Sequence, residues 1–292
     1  MDKKNVLVLG GSGFLGSHVA DALTRSGFHV RIFDMTDSKY RQPSQEMIVG
    51  NMLDQETLDK AVKGCYAVYN FAAIADLDEA LEKPLETVQV NVLGNVMVLE
   101  SCRKHAIKRY VYASTVYVHS REGGFYKCSK QAAERYVEEY HNSYGIDFTI
   151  LRYGSLYGPR SDSHNGLWRI VQRAIQNNEI KYEGHADSVR EYIHVEDAAS
   201  ASVLALGDEF KNQHVVLTGQ EPMKVVDMLK MLGEILGLRK EVVFEDLNYS
   251  GHYIRTPYAY QTKVGRKYIP PMHVDLGQGL LQLINEVKNN TL

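Results

Sequence analysis

The chain has 292 residues, of which 33 are Lys or Arg and 36 are Asp or Glu, so its formal net charge is −3. A hydrophobic content of 44% supports a sizeable core and excludes a disordered chain. The charge is too balanced for the phosphate neutralisation that supplies most nucleic-acid affinity, so we expect no nucleic-acid partner.

Cysteine, histidine and apolar patterns exclude further classes of protein. The cysteines, Cys65, Cys102 and Cys128, form no C-x-x-C pair and predict neither a disulfide framework nor a cysteine zinc site. The 11 histidines form no H-E-x-x-H motif, so we expect no metal. The apolar run at 6–9 is too short for a signal peptide, and no window approaches the ~18 apolar residues of a membrane span. We therefore expect a cytoplasmic protein with no membrane partner.

The first half of the chain alternates short apolar runs with segments of helical periodicity. The runs are largely apolar, which is typical of strands buried on both faces of a parallel sheet. Between them, apolar residues recur at helical spacing, as at Leu15, Val19 and Leu23. This alternation predicts an α/β fold with a Rossmann-type, doubly wound parallel sheet. The predicted strands are residues 6–9, 30–33, 47–49, 67–71, 110–113 and 148–151.

The pattern changes after about residue 152, beyond which five of the seven prolines lie. We expect residues 1–152 to form the sheet domain. Residues 153–292 are expected to form a smaller C-terminal α/β part that binds the ligand at the carboxyl edge of the sheet, with some segments returning to the sheet. Predicted helices here are residues 168–176, 195–206, 224–236 and 277–287, and predicted strands are 180–182, 191–194 and 215–218.

A glycine loop, Gly10-Gly-Ser-Gly-Phe-Leu-Gly16, follows the first predicted strand and opens the first helix. Glycines at this spacing let the backbone approach a pyrophosphate, which the N–H groups and dipole of the helix N-terminus stabilise. Asp34 ends the second strand, where a carboxylate accepts from a ribose 2′-hydroxyl and repels a 2′-phosphate. The pattern therefore predicts NAD rather than NADP. The Lys and Ser/Thr of an ATP-binding P-loop are replaced by Ser17 and His18.

Tyr126 and Lys130 stand four residues apart on a predicted helix and so share a face. A phenol with a pKa near 10 is a poor base at neutral pH, and an adjacent ammonium lowers that pKa by stabilising the phenolate. The preceding strand ends in Ser114 and Thr115, whose hydroxyls can reach the same substrate oxygen. These residues predict a proton-transfer site.

Over nearly its whole length the sequence resembles the extended short-chain dehydrogenase/reductases, in particular the nucleotide-sugar epimerase/dehydratase group. The resemblance implies that Tyr126 is the general base, that Lys130 lowers its pKa and holds the nicotinamide ribose, and that Thr115 orients the reacting hydroxyl. It also implies a nucleotide-linked sugar as substrate. The matching motifs are residues 10–16, 34, 70–73, 91–94, 113–115, Tyr126-x-x-x-Lys130 with Glu134, 151–153, 157–160 and 190–197.

The resemblance also implies two sets of contacts. Arg190 is expected to pair with the substrate diphosphate, and Trp168 and Tyr182 either line a nucleotide-base pocket or pack in the core. The expected NAD contacts are Gly10, Gly13, Phe14, Leu15, Gly16, Asp34, Asn51, Met52, Ala72, Ala73, Asn91, Tyr126 and Lys130. The expected substrate contacts are Thr115, Tyr117, Ser155, Arg160, Trp168, Tyr182 and Arg190.

Departures from the family pattern narrow the reaction. Dehydratases of the group carry Thr-Asp-Glu where this chain has Thr115-Val-Tyr117, and the decarboxylases and epimerase-reductases carry Glu or Cys in place of Tyr117. Asn51 replaces a frequent acid, Ser155 a frequent Asn, and His119 a usual Tyr. The remaining chemistry is hydride and proton transfer at one sugar hydroxyl, expected to be at C4.

Three outcomes stay open at this point. Residues 113–126 and 251–258 are most similar to dehydrogenases acting on GDP-linked heptoses in surface-polysaccharide biosynthesis, so NAD-dependent oxidation of GDP-heptose is the first prediction. The alternative is a nucleotide-sugar 4-epimerase. The second alternative, a non-catalytic dinucleotide-binding redox sensor, is disfavoured because such relatives tend to lose the Tyr-x-x-x-Lys pair.

One helical segment predicts self-association. Residues 88–102 are apolar on more than one face, which is more than contact with the sheet requires. Together with the helix at 131–140, this segment resembles the four-helix dimer contact of the family. We therefore expect a homodimer.

Overall fold

An eight-stranded parallel sheet forms the centre of the computed structural model, which describes residues 3–238, 242–245, 254, 266–268 and 271–291. The strand order is β14-β11-β6-β5-β4-β1-β2-β3, and the order reverses between β1 and β4. The predicted doubly wound sheet is therefore confirmed. The sheet strands are β1 Asn5–Leu9, β2 His29–Asp34, β3 Glu46–Val49, β4 Ala67–Asn70, β5 Arg109–Thr115, β6 Asp147–Tyr153, β11 Gln213–Leu217 and β14 Arg266–Lys267.

Helices cover both faces of the sheet because successive strand residues point to opposite sides. On β1, Val6 and Val8 pack under α1 and α8, whereas Leu7 and Leu9 pack under α2, α5 and α6. Both faces of the sheet are therefore covered and shielded from solvent, as the apolar runs of the predicted strands indicate. The helices are α1 Phe14–Arg25, α2 Gln55–Val62, α3 Leu77–Glu82, α4 Pro84–Val88, α5 Asn95–Lys104, α6 Gly124–Tyr144, α7 Gly166–Asn177, α8 Val195–Leu204, α9 Val225–Leu236 and α10 Leu276–Thr291.

Residues after 153 divide between the sheet and a separate C-terminal layer. The strands β11 and β14 and the helix α8 belong to the sheet, while α7, α9 and α10 share a third apolar cluster. Short strand pairs support this layer. They are β7 Ser155–Tyr157 with β10 Tyr192–His194, β8 Lys181–Glu183 with β13 Val243–Glu245, and β9 Val189–Arg190 with β12 Met223–Lys224.

Some boundaries differ from the sequence prediction. The predicted helix at 88–102 begins as a π-helix over Gln89–Gly94 before continuing as α5, and 3₁₀ turns occur at Val116–His119 and Asp208–Phe210. The predicted strand 191–194 corresponds to β10, which pairs with β7, and a separate short strand that was not predicted, β9, precedes it and pairs with β12. The segment 251–258 lies, except for Ile254, outside the described residues. Among the helices that are described, none has the length and apolar character needed to cross a membrane.

The close approach of the β1–α1 turn to its own helix generates a stability prediction. A Cβ on Gly16 would lie 2.1 Å from the Gly10 carbonyl oxygen, whereas a Cβ on Gly233, inside α9, would meet Ile180 at an ordinary 3.6 Å. We expect Gly16→Ala to lower the free energy of unfolding by about 1–3 kcal/mol through overpacking. The control, Gly233→Ala, should raise it by roughly 0.5–1 kcal/mol through helix propensity. Urea denaturation of both variants checks this, and equal effects would contradict it.

Candidate active site

A cavity of about 440 Å³ opens at the carboxyl ends of β1, β4, β5 and β6, where the strand order reverses. Ligands of open α/β sheets bind at this place, and the volume falls in the range of small-molecule sites. Its lining comes from the glycine loop, from the ends of the central strands and from the start of α6. The lining includes Gly10, Gly13, Phe14, Leu15, Gly16, Phe71, Ala73, Thr115, Tyr117, Tyr126 and Lys130.

The glycine loop fits a dinucleotide pyrophosphate. Gly10 has φ +72°, and a Cβ there would lie 2.7 Å from the backbone nitrogen of Ala72. Gly13 is the N-cap of α1, and no side chain caps this helix. The N–H groups of its first turn therefore face a cavity without a competing side-chain oxygen, which is the arrangement that binds phosphates. Asp34 lies beside the loop, where its Oδ2 accepts from the Ser12 N–H at 3.0 Å.

Several residues that the sequence predicts as cofactor contacts do not line the cavity. They are buried or make hydrogen bonds within the protein. The Asn51 Oδ1 accepts from Leu53 N–H at 2.9 Å, and Met52 is buried. The Asn91 amide accepts from the Ile74 N–H at 2.8 Å and donates to the Ile74 carbonyl at 2.9 Å and to Ser129 Oγ at 2.9 Å. Asn91 thus ties the loop after β4 to α6, because its place in the π-helix turns it inward.

Thr115, Tyr126 and Lys130 meet at one wall of the cavity. Thr115 ends β5, and its side chain is hydrogen-bonded to the Tyr126 phenol. The Lys130 Nζ lies 5.8 Å from the centroid of the Tyr126 ring and donates to the Ala113 carbonyl at 2.9 Å. The structure therefore brings together the three residues that the sequence predicts as catalytic.

Burial dominates the electrostatics of this pair. It raises the pKa of Tyr126 to about 12, against the hydrogen bond from Thr115, and it lowers the pKa of Lys130 to about 7, against the Glu134 carboxylate. The sequence predicts a Tyr126 pKa lowered by the ammonium. In the protein alone the net shift is upward, because desolvation of the phenolate exceeds the stabilisation from its neighbours.

Among the predicted substrate contacts, Tyr117 is one of the described residues that line the cavity, and Ser155 is not. Its neighbours Gly154 and Leu156 line it instead, because successive residues of an extended chain face opposite sides. Arg190 is buried on β9, where its Nη1 donates to the Val189 carbonyl at 3.1 Å.

Arg160 pairs with a residue of α1. Its Nη2 lies 2.7 Å from Asp21 Oδ2, and its guanidinium lies 4.6 Å from the centroid of the Tyr40 ring. Arg160 is not among the described residues that line the cavity, and its contact with substrate stays a prediction. Trp168 and Tyr182 pack against the apolar cluster that α7, α9 and α10 share. This corresponds to the core-packing alternative.

Sequence reasoning missed a polar group at the outer end of the cavity. Asp76, at the N-terminus of α3, pairs with Arg169 of α7 at 3.0 Å, and both line the cavity. No short motif marks them, since they lie 93 residues apart and meet only in the fold. The remaining polar lining that was not predicted comprises Asp78, Asp162, His164 and Asn165.

Comparison with known proteins places the chain among nucleotide-sugar enzymes. The sequence model of the NAD dependent epimerase/dehydratase family matches residues 6–218. A protein of Methanocaldococcus jannaschii described as a putative UDP-glucose 4-epimerase is 28% identical, over 98% of this chain and 99% of that one. Two solved structures share the fold. UDP-glucose 4-epimerase of Thermotoga maritima has a TM-score of 0.85 at 24% identity, covering 99% of this chain and 100% of that one. UDP-glucuronic acid 4-epimerase of Bacillus cereus has 0.85 at 22%, covering 98% and 99%.

The buried ammonium of Lys130 generates a prediction about stability. Its pKa falls from 10.5 to about 7 on folding, so at this residue the unfolded chain binds more protons than the folded chain between these values, and the destabilising contribution of Lys130 should shrink as the pH rises from 7 to 10. Lys130→Met removes this cost. We expect the variant to be more stable by about 2–3 kcal/mol at pH 7, after allowing roughly 1 kcal/mol for the lost hydrogen bond, and little changed at pH 10.

Chemical denaturation at both pH values measures the effect. Lys127→Met is the matched control, because this lysine is on the same helix and its ammonium is at the surface. A Lys130→Met variant no more stable than the wild type at pH 7 would contradict the burial argument.

Proposed function

Since this chain belongs to the NAD-dependent epimerase/dehydratase family and is an NAD-dependent enzyme, we propose that it is a 4-epimerase of a nucleotide-linked sugar. The observation that carries the proposal is the convergence of Thr115, Tyr126 and Lys130 on one cavity beside the glycine loop. The relative described as a putative UDP-glucose 4-epimerase, which aligns over nearly the whole of both chains, supports epimerisation as the outcome.

The residues of the cavity fit NAD. The first turn of α1 would hold the pyrophosphate, Asp34 the adenine ribose, and Lys130 the nicotinamide ribose. When bound, NAD supplies the acceptor and donor of the hydride. The absence of a Cβ at Gly10 and Gly16 is what leaves room for a backbone cradle at this position.

The side chains at the opposite wall handle the proton. Thr115 orients the sugar hydroxyl. The Tyr126 phenolate accepts the proton of this hydroxyl while the hydride leaves the carbon that bears it. The Lys130 ammonium stabilises the phenolate across a short, desolvated gap, where a charge acts more strongly than it does in water. Epimerisation would be completed by Tyr126 returning the proton to the sugar oxygen, with the hydride for the other face of the keto sugar supplied by the bound NAD.

The same wall argues against dehydration. The two residues after Thr115 are Val116, which is buried, and Tyr117, so no carboxylate follows the catalytic threonine. Loss of water from neighbouring carbons needs an additional acid and base, and these positions supply neither. Hydride and proton exchange at a single carbon is the chemistry left to this site.

A dehydrogenase that releases a 4-keto sugar is the second candidate, and GDP-heptose oxidation in polysaccharide biosynthesis stays a prediction for it. The observation in its favour is the short connection from Thr115 to α6, made of one 3₁₀ turn at Val116–His119 and a few residues. Little chain is therefore available here to hold a keto intermediate in place. Ser155 and Arg190 stay predicted contacts of the nucleotide end.

A labelled substrate separates the two outcomes. UDP-, dTDP- and GDP-linked hexoses and GDP-heptose, deuterated at C4, are incubated with the NAD-loaded enzyme, and products are followed by NMR and by NADH absorbance. We expect a 4-epimer that retains its deuterium, because the same hydride returns to the sugar. Tyr126→Phe should lower kcat by about 10²–10⁴-fold with NAD binding retained.

Release of a 4-keto sugar with stoichiometric NADH would replace the epimerase by the dehydrogenase. Neither a 4-epimer by NMR nor NADH by absorbance with any of the nucleotide sugars would exclude both functions. Undiminished activity of Tyr126→Phe would remove this residue from its role.

We also propose a homodimer in a reducing cytoplasm. Large apolar side chains are exposed on α4, on the π-helix and on α6, which contact one another: Leu85, Leu93 and Tyr136 are 69%, 51% and 45% exposed. A second copy of this face would cover them. The cytoplasmic location rests on the three cysteines, all of which are free.

Sedimentation at micromolar concentration tests the dimer, with an expected mass twice the 33.0 kDa of one chain. Leu93→Glu should shift the protein toward monomer, because it places a charge in the proposed contact. Leu204→Glu, at an equally exposed leucine on α8, is the control and should leave the mass unchanged. A wild-type monomer would contradict the proposal.

A further inference from the structure

The catalytic face of α6 continues beyond the Tyr–Lys pair. Tyr126, Lys130 and Glu134 are spaced four residues apart and therefore lie above one another on one side of the helix. Lys130 and Glu134 are only 3% and 5% exposed. A carboxylate is thus buried one turn behind the ammonium that faces the cavity.

The Glu134 carboxylate is held in place by three hydrogen-bond donors. Arg152 of β6 donates to both carboxylate oxygens, from Nε at 2.9 Å and from Nη2 at 2.6 Å, and Ser114 Oγ donates at 2.5 Å. Three donors in this geometry compensate a buried anion. Ser114 directly precedes Thr115 on β5, so the group that fixes Glu134 is built from the same strand as the site.

Lys130 has weaker compensation. Its described hydrogen bond goes to the neutral Ala113 carbonyl, and no ion pair is found between it and a carboxylate in the described part of the chain. Burial would strip its proton, and the nearby Glu134 opposes that loss. The cluster of Lys130, Glu134 and Arg152 has one carboxylate, which pairs with Arg152 and acts by its charge on Lys130.

We propose that Glu134 is a positioning residue: its fixed carboxylate keeps the Lys130 ammonium charged, so that the ammonium can stabilise the Tyr126 phenolate. The inference rests on the proposed function, because it requires Tyr126 as the base. It assigns Arg152 the opposite electrostatic effect on Lys130, since a guanidinium at the same place repels a second cation.

Other titratable groups surround the cluster. The Tyr112 ring of β5 lies against Lys130, whose Nζ is 4.8 Å from the ring centroid, and burial raises the pKa of the Tyr112 phenol well above its usual value. From the 3₁₀ turn, His119 Nε2 accepts from Arg152 at 2.7 Å. From β11, His214 lies with Nδ1 3.7 Å from Glu134 and Nε2 2.8 Å from Glu138, and burial lowers its pKa. The variants below leave Tyr112, His119 and His214 in place.

Charge removal on either side of the cluster tests the proposal. In Glu134→Gln, the ¹³Cε signal of Lys130 should titrate about one pH unit lower than in the wild type, and in Arg152→Gln it should titrate higher. The double variant should fall between them. NMR of lysine-labelled protein, with Lys130→Met for assignment, measures this without any turnover.

Activity supplies the second measurement. In Glu134→Gln, the alkaline limb of the kcat/KM profile should move toward acid with the NMR titration, so that activity at pH 7 falls about tenfold and recovers in part at lower pH. If Glu134 had only a structural role, Glu134→Gln and Arg152→Gln would both lose activity, and the pH profile of kcat/KM would keep its shape. Glu138→Gln, one turn further along α6, is the control and should leave the titration of Lys130 unchanged.

The outcomes are distinct. An unchanged Lys130 titration in either folded single variant overturns the proposal, and Arg152→Gln decides alone if Glu134→Gln does not fold. Should the titration move as expected while the pH profile does not, the role of the Tyr126–Lys130 pair in the proposed function fails instead.

Discussion

The contact between the β1–α1 turn and the chain that follows β4 is the constraint on which the rest of the structure depends. Gly10 and Gly16 bring backbone against backbone, at distances that no side chain would permit. That approach places the first turn of α1 at the point where the strand order reverses, and it lets α1 pack against α8 over one face of the sheet. The cavity exists because the turn closes one side of it while the ends of β5 and β6 close the other.

The opposite wall of the cavity combines function with an energetic cost. A lysine that is 3% exposed and makes no ion pair with a carboxylate of the described residues is expensive to bury. The same desolvation makes its charge effective at short range, since a cation in low dielectric acts strongly on a neighbouring phenol. The Glu134–Arg152 pair behind it is better compensated, with both carboxylate oxygens bonded. Perturbed ionisable groups in a cleft are typical of active sites for this reason.

Two residues assigned by resemblance make contacts within the protein. Arg160 matches the family motif, has a left-handed backbone with φ +65°, and forms an ion pair with Asp21 of α1. Asn91 is likewise used internally, as a bridge between the β4 loop and α6. Motif position alone does not say which neighbour a side chain meets, since that depends on the backbone direction of a loop.

The sequence by itself determined the order of strands and helices, the glycine loop and the Tyr126–Lys130 pair. Each of these depends on spacing within one strand, one turn or one helix, where periodicity translates directly into geometry. Only the tertiary structure decided that Asp76 meets Arg169 across 93 residues and that Arg160 meets Asp21 across 139. It also decided that burial moves the pKa of Tyr126 upward and that of Lys130 downward. Contacts and desolvation of this kind arise from packing between distant segments, and no local pattern encodes them.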